Sequence, residues 1–482
     1  MTDNLAFLSA GQALAAFRAR DLSPVEVLDA VYEQADRVNP VVNAFSDERR
    51  DQAYAAARES EARWAGRGGG DPRPLEGIPT ATKEEQPIAG ERMCLGSEVM
   101  RDYVADVTHP VVERILEAGG VVHARTTTPE FSAAAFTHSR IWGITRNPWN
   151  PEFTPGGSSG GAGAALASGS TILATGSDIG GSIRIPASFC GVLGFKPPYA
   201  RVPALPPFNL DDYCHDGPMA RTVGDLALLE NVIAGQHPID PVSLPDPPYL
   251  DTSAGSVAGM RIAWAPTIGD SPVDPQIRSA TAGVAATLAE LGATVEEISL
   301  DMSRADIYRL ALVHFNAIMG PSCAMLDPGT PGAFMPYIDE FLRRGAQMGE
   351  STSYFAGLEG EAALMAQVME VFSRYDAFIC PTMATYGLVA GDDYVDTSLA
   401  VDGVELDFYF ESMLTILFNI NSRCPVISVP SGIAPNGVPM GVQLVGAPYA
   451  DAVPFRIASA LEAARGWWTT PAWRPDLVKD LG

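Results

Sequence analysis

The chain has 482 residues, 46% of them hydrophobic, and a formal net charge of −26. So acidic a surface repels phosphate backbones and anionic lipid, which argues against nucleic-acid or membrane-surface binding as the main role. Six scattered cysteines without a C-x-x-C pair argue against a zinc ribbon or a thioredoxin-type site and read as reduced, buried thiols. The start, Met1-Thr2-Asp3-Asn4, lacks a basic signal-peptide region, and no apolar run is long enough to span a bilayer. The chain reads as soluble and cytoplasmic.

The first 65 residues look helical. Ser23-Pro24-Val25-Glu26 carries the elements of a capping box, and the helix it opens is expected to end near Val38-Asn39-Pro40. A second helix is expected from about Asp47 to Trp64, before the flexible Gly66-Arg67-Gly68-Gly69-Gly70. Leu75 to Lys83 reads as a short apolar strand ending at a lysine. Thr108 is expected to cap a helix closed by Gly119-Gly120, with Val121 to Arg125 as the next strand. Strands alternating with helices argue for an α/β architecture. Thr171 to Thr175 reads as a strand, Tyr199 to Asp216 as a Pro-rich surface loop, and Pro238 to Ser256 as linker-like. Further strands are expected at Met260 to Trp264, Ala293 to Ile298, Phe378 to Thr382, Val426 to Pro430 and Met440 to Val445. Helices are expected from Asp274-Pro275 to Gly292, through most of 302–372, and over Ala452 to Ala464.

Two Gly-flanked serine clusters stand out: Gly156-Gly157-Ser158-Ser159-Gly160-Gly161 and Asp178-Ile179-Gly180-Gly181-Ser182-Ile183-Arg184. The first formally fits a G-x-S-x-G nucleophile elbow, which requires an apolar strand directly before it. Here Asn147 to Pro155 precedes it, a turn-rich run with three prolines that cannot be a central strand. His215, His237 and His314 lie downstream without a telling context. The second cluster follows a plausible strand, and the N–H groups from Ile179 through Ser182 can converge on one oxygen as an oxyanion hole requires. Ser182 is then the natural nucleophile, still in need of a base.

Both clusters together, through Arg184-Ile185-Pro186, resemble the signature of the amidase signature family. Gly77-Ile78-Pro79-Thr80-Ala81-Thr82-Lys83 resembles its catalytic-lysine strand. Gly194-Phe195-Lys196-Pro197, Val429-Pro430-Ser431-Gly432 and Gly441-Val442-Gln443-Leu444-Val445-Gly446 match in the family's order. The resemblance implies a single domain over 1–482, built on a large mixed central β-sheet flanked by helices on both faces. Within it are a helical N-terminal segment (about 1–65), a catalytic core (about 70–235), a more helical region lining the substrate pocket (about 300–375), and strands completing the sheet (about 376–465).

It also implies a Ser-cisSer-Lys triad: Ser182 as nucleophile, Ser158 as bridging serine on a cis Gly157–Ser158 peptide, Lys83 as base. A lysine acts so only when neutral, a state that burial favours. A hydroxyl both accepts and donates, so Ser158 can pass a proton between Ser182 and Lys83. Ile179, Gly180, Gly181 and Ser182 form the implied oxyanion hole; Gly157, Ser159, Asp178 and Arg184 support the site. The expected reaction is hydrolysis of an amide C–N bond through an acyl-enzyme, without metal or organic cofactor.

One departure is that the family commonly continues Lys-Asp-Asn, whereas this chain has Lys83-Glu84-Glu85-Gln86. Longer acidic side chains there either reshape the pocket floor or hold a salt bridge. His138 either faces substrate or is structural. Tyr199 to Phe208 and Phe334 to Tyr337 are expected to supply an apolar pocket for a small-to-medium apolar or aryl amide, a carbamate (urethane) or an ester. The expected partner is that small molecule, for a monomer or homodimer. The alternatives are the glutamine-hydrolysing A subunit of an amidotransferase and a non-catalytic binding protein on the same scaffold.

Overall fold

A computed structural model describes residues 5–252, 255–468, 470 and 473–477. Residues 1–4 of the N-terminal segment, 253–254 of the linker-like stretch and the last five residues fall outside them. Eleven strands form one mixed sheet. From one edge their order is Phe45–Glu48, Val121–Thr126, Pro79–Lys83, Leu173–Asp178, His215–Ala220 and Leu193–Lys196. It continues through Val426–Ile433, Pro439–Gly446, Ala377–Pro381, Arg261–Trp264 and Thr294–Glu297.

Alternate residues of a strand point to opposite faces, and here the two faces feed two separate cores. In Ala377–Pro381, Phe378 and Cys380 join a core shared with the helices Arg304–Leu326, Pro336–Ser351 and Tyr354–Phe372. Ala377 and Ile379 join the other, shared with Val223–Ile233 and Ala452–Arg465. The sheet is therefore a middle layer with helices on both faces. Among the described residues no helix is long and apolar enough to cross a membrane.

Tertiary pairing changed several expected elements. The helix capped by Ser23 has both capping-box bonds but runs through Pro40 to Val42, closed by Asn43 in the left-handed region. Val38 and Val42, one turn apart, are both buried, and packing holds that last turn despite the missing N–H. The N-terminal segment is not wholly helical. Phe45–Glu48 is an edge strand antiparallel to Val121–Thr126, so the next helix starts at Arg50. The helix at Pro110–Glu117 is capped by His109, whose Nδ1 accepts from the Val111 N–H at 3.3 Å; the Thr108 hydroxyl accepts from Ala89 instead. The sheet also takes two strands from 261–297, outside the segment expected to complete it.

Tyr199 to Asp216 is not a surface loop. Asn209, Asp211 and Tyr213 are buried, and the run ends in the central strand His215–Ala220. Its polar groups find partners far along the chain: Asp240 accepts from Ala204 N–H (3.0 Å) and Asn209 Nδ2 (2.9 Å).

Candidate active site

Pro79–Lys83 and Leu173–Asp178 lie side by side and parallel, with Ala81 opposite Ala174. Their C-terminal ends therefore emerge together, where open α/β sheets place ligands. Lys83 leaves the first strand fully buried. Its Nζ donates to Ser158 Oγ at 2.7 Å and Ser177 Oγ at 2.8 Å, and lies 3.3 Å from Glu85 Oε1. Burial pushes the amine below the ordinary lysine value, against the opposing charge of Glu85. Ser158 is buried, and the Gly157–Ser158 peptide is cis. A Cβ on Gly157 would collide with the Phe136 carbonyl oxygen, so no larger residue fits this turn.

Ser159 ties the two serine clusters together. Its N–H donates to the Ser182 carbonyl at 3.1 Å, and its hydroxyl donates to the Ser177 carbonyl and accepts from the Ser177 N–H, both at 3.3 Å. Among the described residues no hydrogen bond joins Ser158 Oγ to Ser182 Oγ. The Lys83–Ser158 half of the expected relay is closed and the Ser158–Ser182 half is open. Catalytic hydrogen bonds of this kind often tighten only in the complex with substrate.

The loop presenting Ser182 is held by a buried ion pair. Arg184 and Asp178 are both fully buried and joined through Nη2 at 2.8 Å and Nε at 3.0 Å. Arg184 also donates to the Thr415 carbonyl, Gln443 Oε1 and Asn419 Oδ1 at 2.7–2.9 Å. Burial pushes the Asp178 carboxyl up, but Arg184 and the Asn419 amide outweigh it and hold it well below the usual carboxylate range.

Asp178 Oδ1 accepts the Gly181 N–H at 2.9 Å, which corrects one expectation: that N–H faces the carboxylate and is not available to an oxyanion. The N–H groups of Ile179, Gly180 and Ser182 have no protein acceptor among the described residues. Gly181 has φ +127, and a Cβ there would collide with Thr415 Oγ1. Only glycine fits this position.

Ser158, Ser177, Asp178 and Ile179 border a cavity of about 310 Å³. Its walls are largely apolar: Met93, Leu95, Phe131, Ala204 to Phe208, and Met319, Cys323 and Leu326 from the helix Arg304–Leu326. Glu85, Gln86, His109 and Asp216 supply a polar patch. Of the expected pocket segment Tyr199 to Phe208, Ala204 to Phe208 line the cavity and Tyr199 to Pro203 do not. Phe334 to Tyr337 does not; Phe334 packs behind Phe131, and the Tyr337 hydroxyl donates to the His138 carbonyl and accepts from the Glu130 N–H. His138 is buried, stacked on Phe136 at 4.8 Å, and away from the cavity wall.

Sequence reasoning missed Ser177, Thr415 and Asn419. Ser177 had a faint signal, directly before Asp178 in the second motif. Thr415 and Asn419 had none, because only folding carries them across more than two hundred residues to the Ser182 loop.

The sequence profile of the family described as Amidase matches residues 26–453. The chain is similar to an acylamidase of Rhodococcus erythropolis, 32% identical over 96% of this chain and 97% of that one. It is also similar to the A subunit of the glutamyl-tRNA(Gln) amidotransferase of Thermosynechococcus vestitus, 32% identical over 93% of this chain and 96% of that one. A solved bacterial aryl acylamidase of the amidase signature enzymes superposes with a TM-score of 0.88, at 27% identity over 97% of this chain and 99% of that chain.

Proposed function

This chain belongs to the amidase signature family of C–N hydrolases, and we propose that it cleaves a small-to-medium apolar or aryl amide, anilide or carbamate through an acyl-enzyme on Ser182. The observation that carries this reading is the 2.7 Å contact between buried Lys83 and Ser158, which borders a largely apolar cavity. In the proposed cycle Ser182 Oγ attacks the carbonyl as its proton passes to Ser158 and the Ser158 proton passes to neutral Lys83. The N–H groups of Ile179, Gly180 and Ser182 stabilise the oxyanion. Lys83 returns the proton through Ser158 to the departing nitrogen as the C–N bond breaks. Water then attacks the Ser182 ester, giving its proton to the same relay, which reprotonates Ser182 Oγ as the acid leaves.

A second reading is supported by the relatives that are A subunits of amidotransferases: hydrolysis of glutamine. Against it, among the described residues the cavity wall carries no arginine or lysine to receive the α-carboxylate of glutamine, and Glu85 and Asp216 would repel it. The test is a panel of acyl p-nitroanilides, primary amides, aryl carbamates and free glutamine. It is run with the wild type, Ser182→Ala, Ser158→Ala and Lys83→Met. Apolar anilides or carbamates are expected to turn over, with kcat/KM falling about 10³-fold or more in each variant. Turnover of glutamine alone would replace the substrate assignment, and full activity in Ser182→Ala would refute the nucleophile.

A further inference from the structure

Glu85 follows Lys83 by two residues, and the fold gives it a specific place. Among the described residues it is the one carboxylate within ion-pair distance of Lys83 Nζ, at 3.3 Å. Its other oxygen accepts from the Ser132 hydroxyl, which is itself bonded to Thr128 Oγ1 at 2.8 Å. The turn carrying Glu85 is fixed from the neighbouring strand: Arg125 Nη2 donates to the carbonyls of Lys83 (3.0 Å), Glu84 (2.9 Å) and Gln86. An ammonium has three donors, and Lys83 Nζ has three acceptors: Ser158 Oγ, Ser177 Oγ and Glu85 Oε1. When the amine is neutral, its lone pair faces the Ser158 hydroxyl and its two N–H groups remain on Ser177 and Glu85.

The other charges near this point are committed elsewhere. Glu84 turns away to accept from the N–H groups of Cys94 and Leu95. Asp178 is taken by Arg184. Asp216 accepts from Gln86 Nε2 at 2.6 Å and lies 3.5 Å from His109 Nε2. Asp178 and Asp216 act on Lys83 only through longer-range attraction, weaker than that of Glu85.

We infer that Glu85 is the positioning residue for the proton on Lys83: its carboxylate receives the ammonium each time Lys83 collects the Ser182 proton, and so sets the acidity range in which the site works. This rests on the reading of Lys83 as the base. The carboxylate favours the protonated amine in the resting protein, which delays activity to higher pH. It also stabilises the charge that appears on Lys83 during acylation, which makes the amine a stronger base. Both effects follow from one contact, and they move a pH profile in opposite senses along its two axes.

The experiment is kcat/KM against pH for an acyl p-nitroanilide, with thermal melts as a folding control. It compares the wild type, Glu85→Gln, Glu85→Asp and Lys83→Met. Removing an opposite charge at this distance is expected to move the acid limb of Glu85→Gln down by about one pH unit or more. The plateau should fall in the same variant, and Glu85→Asp should restore most of the limb. A uniform loss with the limb unmoved, or a limb moved upward, overturns the inference. If Glu85→Gln does not fold, Ser132→Ala releases the carboxylate from its anchor and should move the limb in the same direction by less; an unmoved limb there counts equally against it. Lys83→Met separates the two readings. Full activity in that variant removes the base itself, whereas an inactive Lys83→Met beside an unmoved Glu85→Gln limb removes only the role of Glu85.

Discussion

Asp178 is a residue whose structural and chemical duties coincide. Its carboxylate neutralises Arg184 in a fully buried pair and holds the Gly181 N–H of the loop carrying Ser182. Leaving a buried charge without its partner is costly, and Asp178→Asn is expected to lower stability by roughly 3–5 kcal/mol. Urea unfolding at neutral pH would measure it; a loss under ~1 kcal/mol would mean that Thr415, Gln443 and Asn419 satisfy Arg184 alone. The sign of the pH dependence follows from the depressed folded pKa. The stabilisation is present above the unfolded carboxyl value of about 4 and is lost as pH falls through the lower folded value. Asp178→Asn should therefore flatten the acid side of the stability profile. This pair was half legible in the sequence: both residues belong to the second motif, but nothing in the motif says that they face each other.

At the scale of elements, the Pro-rich run from Tyr199 to Asp216 is clamped to the helices over one face of the sheet. His314, in Arg304–Leu326, bonds Asp211 Oδ1 at 2.8 Å and stacks on Tyr213 at 3.7 Å. The Tyr213 hydroxyl donates to Glu361 Oε1 at 2.8 Å in Tyr354–Phe372. The same run and the same first helix both contribute to the wall of the cavity. His314→Ala is expected to loosen that wall while leaving the Lys83–Ser158 contact intact. KM for apolar substrates should rise by about tenfold or more, the equivalent of about 1.4 kcal/mol, with kcat changed less. Steady-state kinetics on the best anilide of the panel decides it; an equal fall in kcat at constant KM would place the effect at the Lys83–Ser158 contact instead. Composition marked this run as a loop, and in backbone terms much of it is one. Its burial was invisible because Asp240, His314 and Glu361 reach it only in the folded chain.

The whole molecule carries 58 acidic against 32 basic side chains, which gives the formal charge of −26. Self-repulsion at that density destabilises the compact state, and salt screens it over a Debye length of about 10 Å at 0.1 M. The thermal midpoint is expected to rise by a few degrees between ~10 mM and ~200 mM sodium chloride. Screening also weakens exposed pairs such as Arg261–Glu296, whose side chains are about half exposed. Those pairs are worth little individually, so the net effect should still be a rise. A midpoint that falls with salt would show that surface pairing outweighs the repulsion.

Local patterning determined most of the strands, the capped helix after Ser23, and the loop that presents Ser182. Turn glycines, strand periodicity and N-caps act over a few residues, so Ser182 could be picked out from its own loop, whereas Lys83 and Ser158 came only from the resemblance to the amidase signature family. Their assembly was not local. The parallel pairing of Pro79–Lys83 with Leu173–Asp178 brought Lys83 to Ser177, Ser158 met the same amine from the loop before the helix Gly160–Ser168, and a hydrogen bond from Ser159 to Ser182 joined the two serine loops. Tertiary structure alone assigned the Gly181 N–H to Asp178, recruited Thr415 and Asn419, and turned Glu85 towards Lys83. Each depends on direction and distance between segments far apart in the chain, which burial of the sheet's two faces fixes and sequence spacing does not encode.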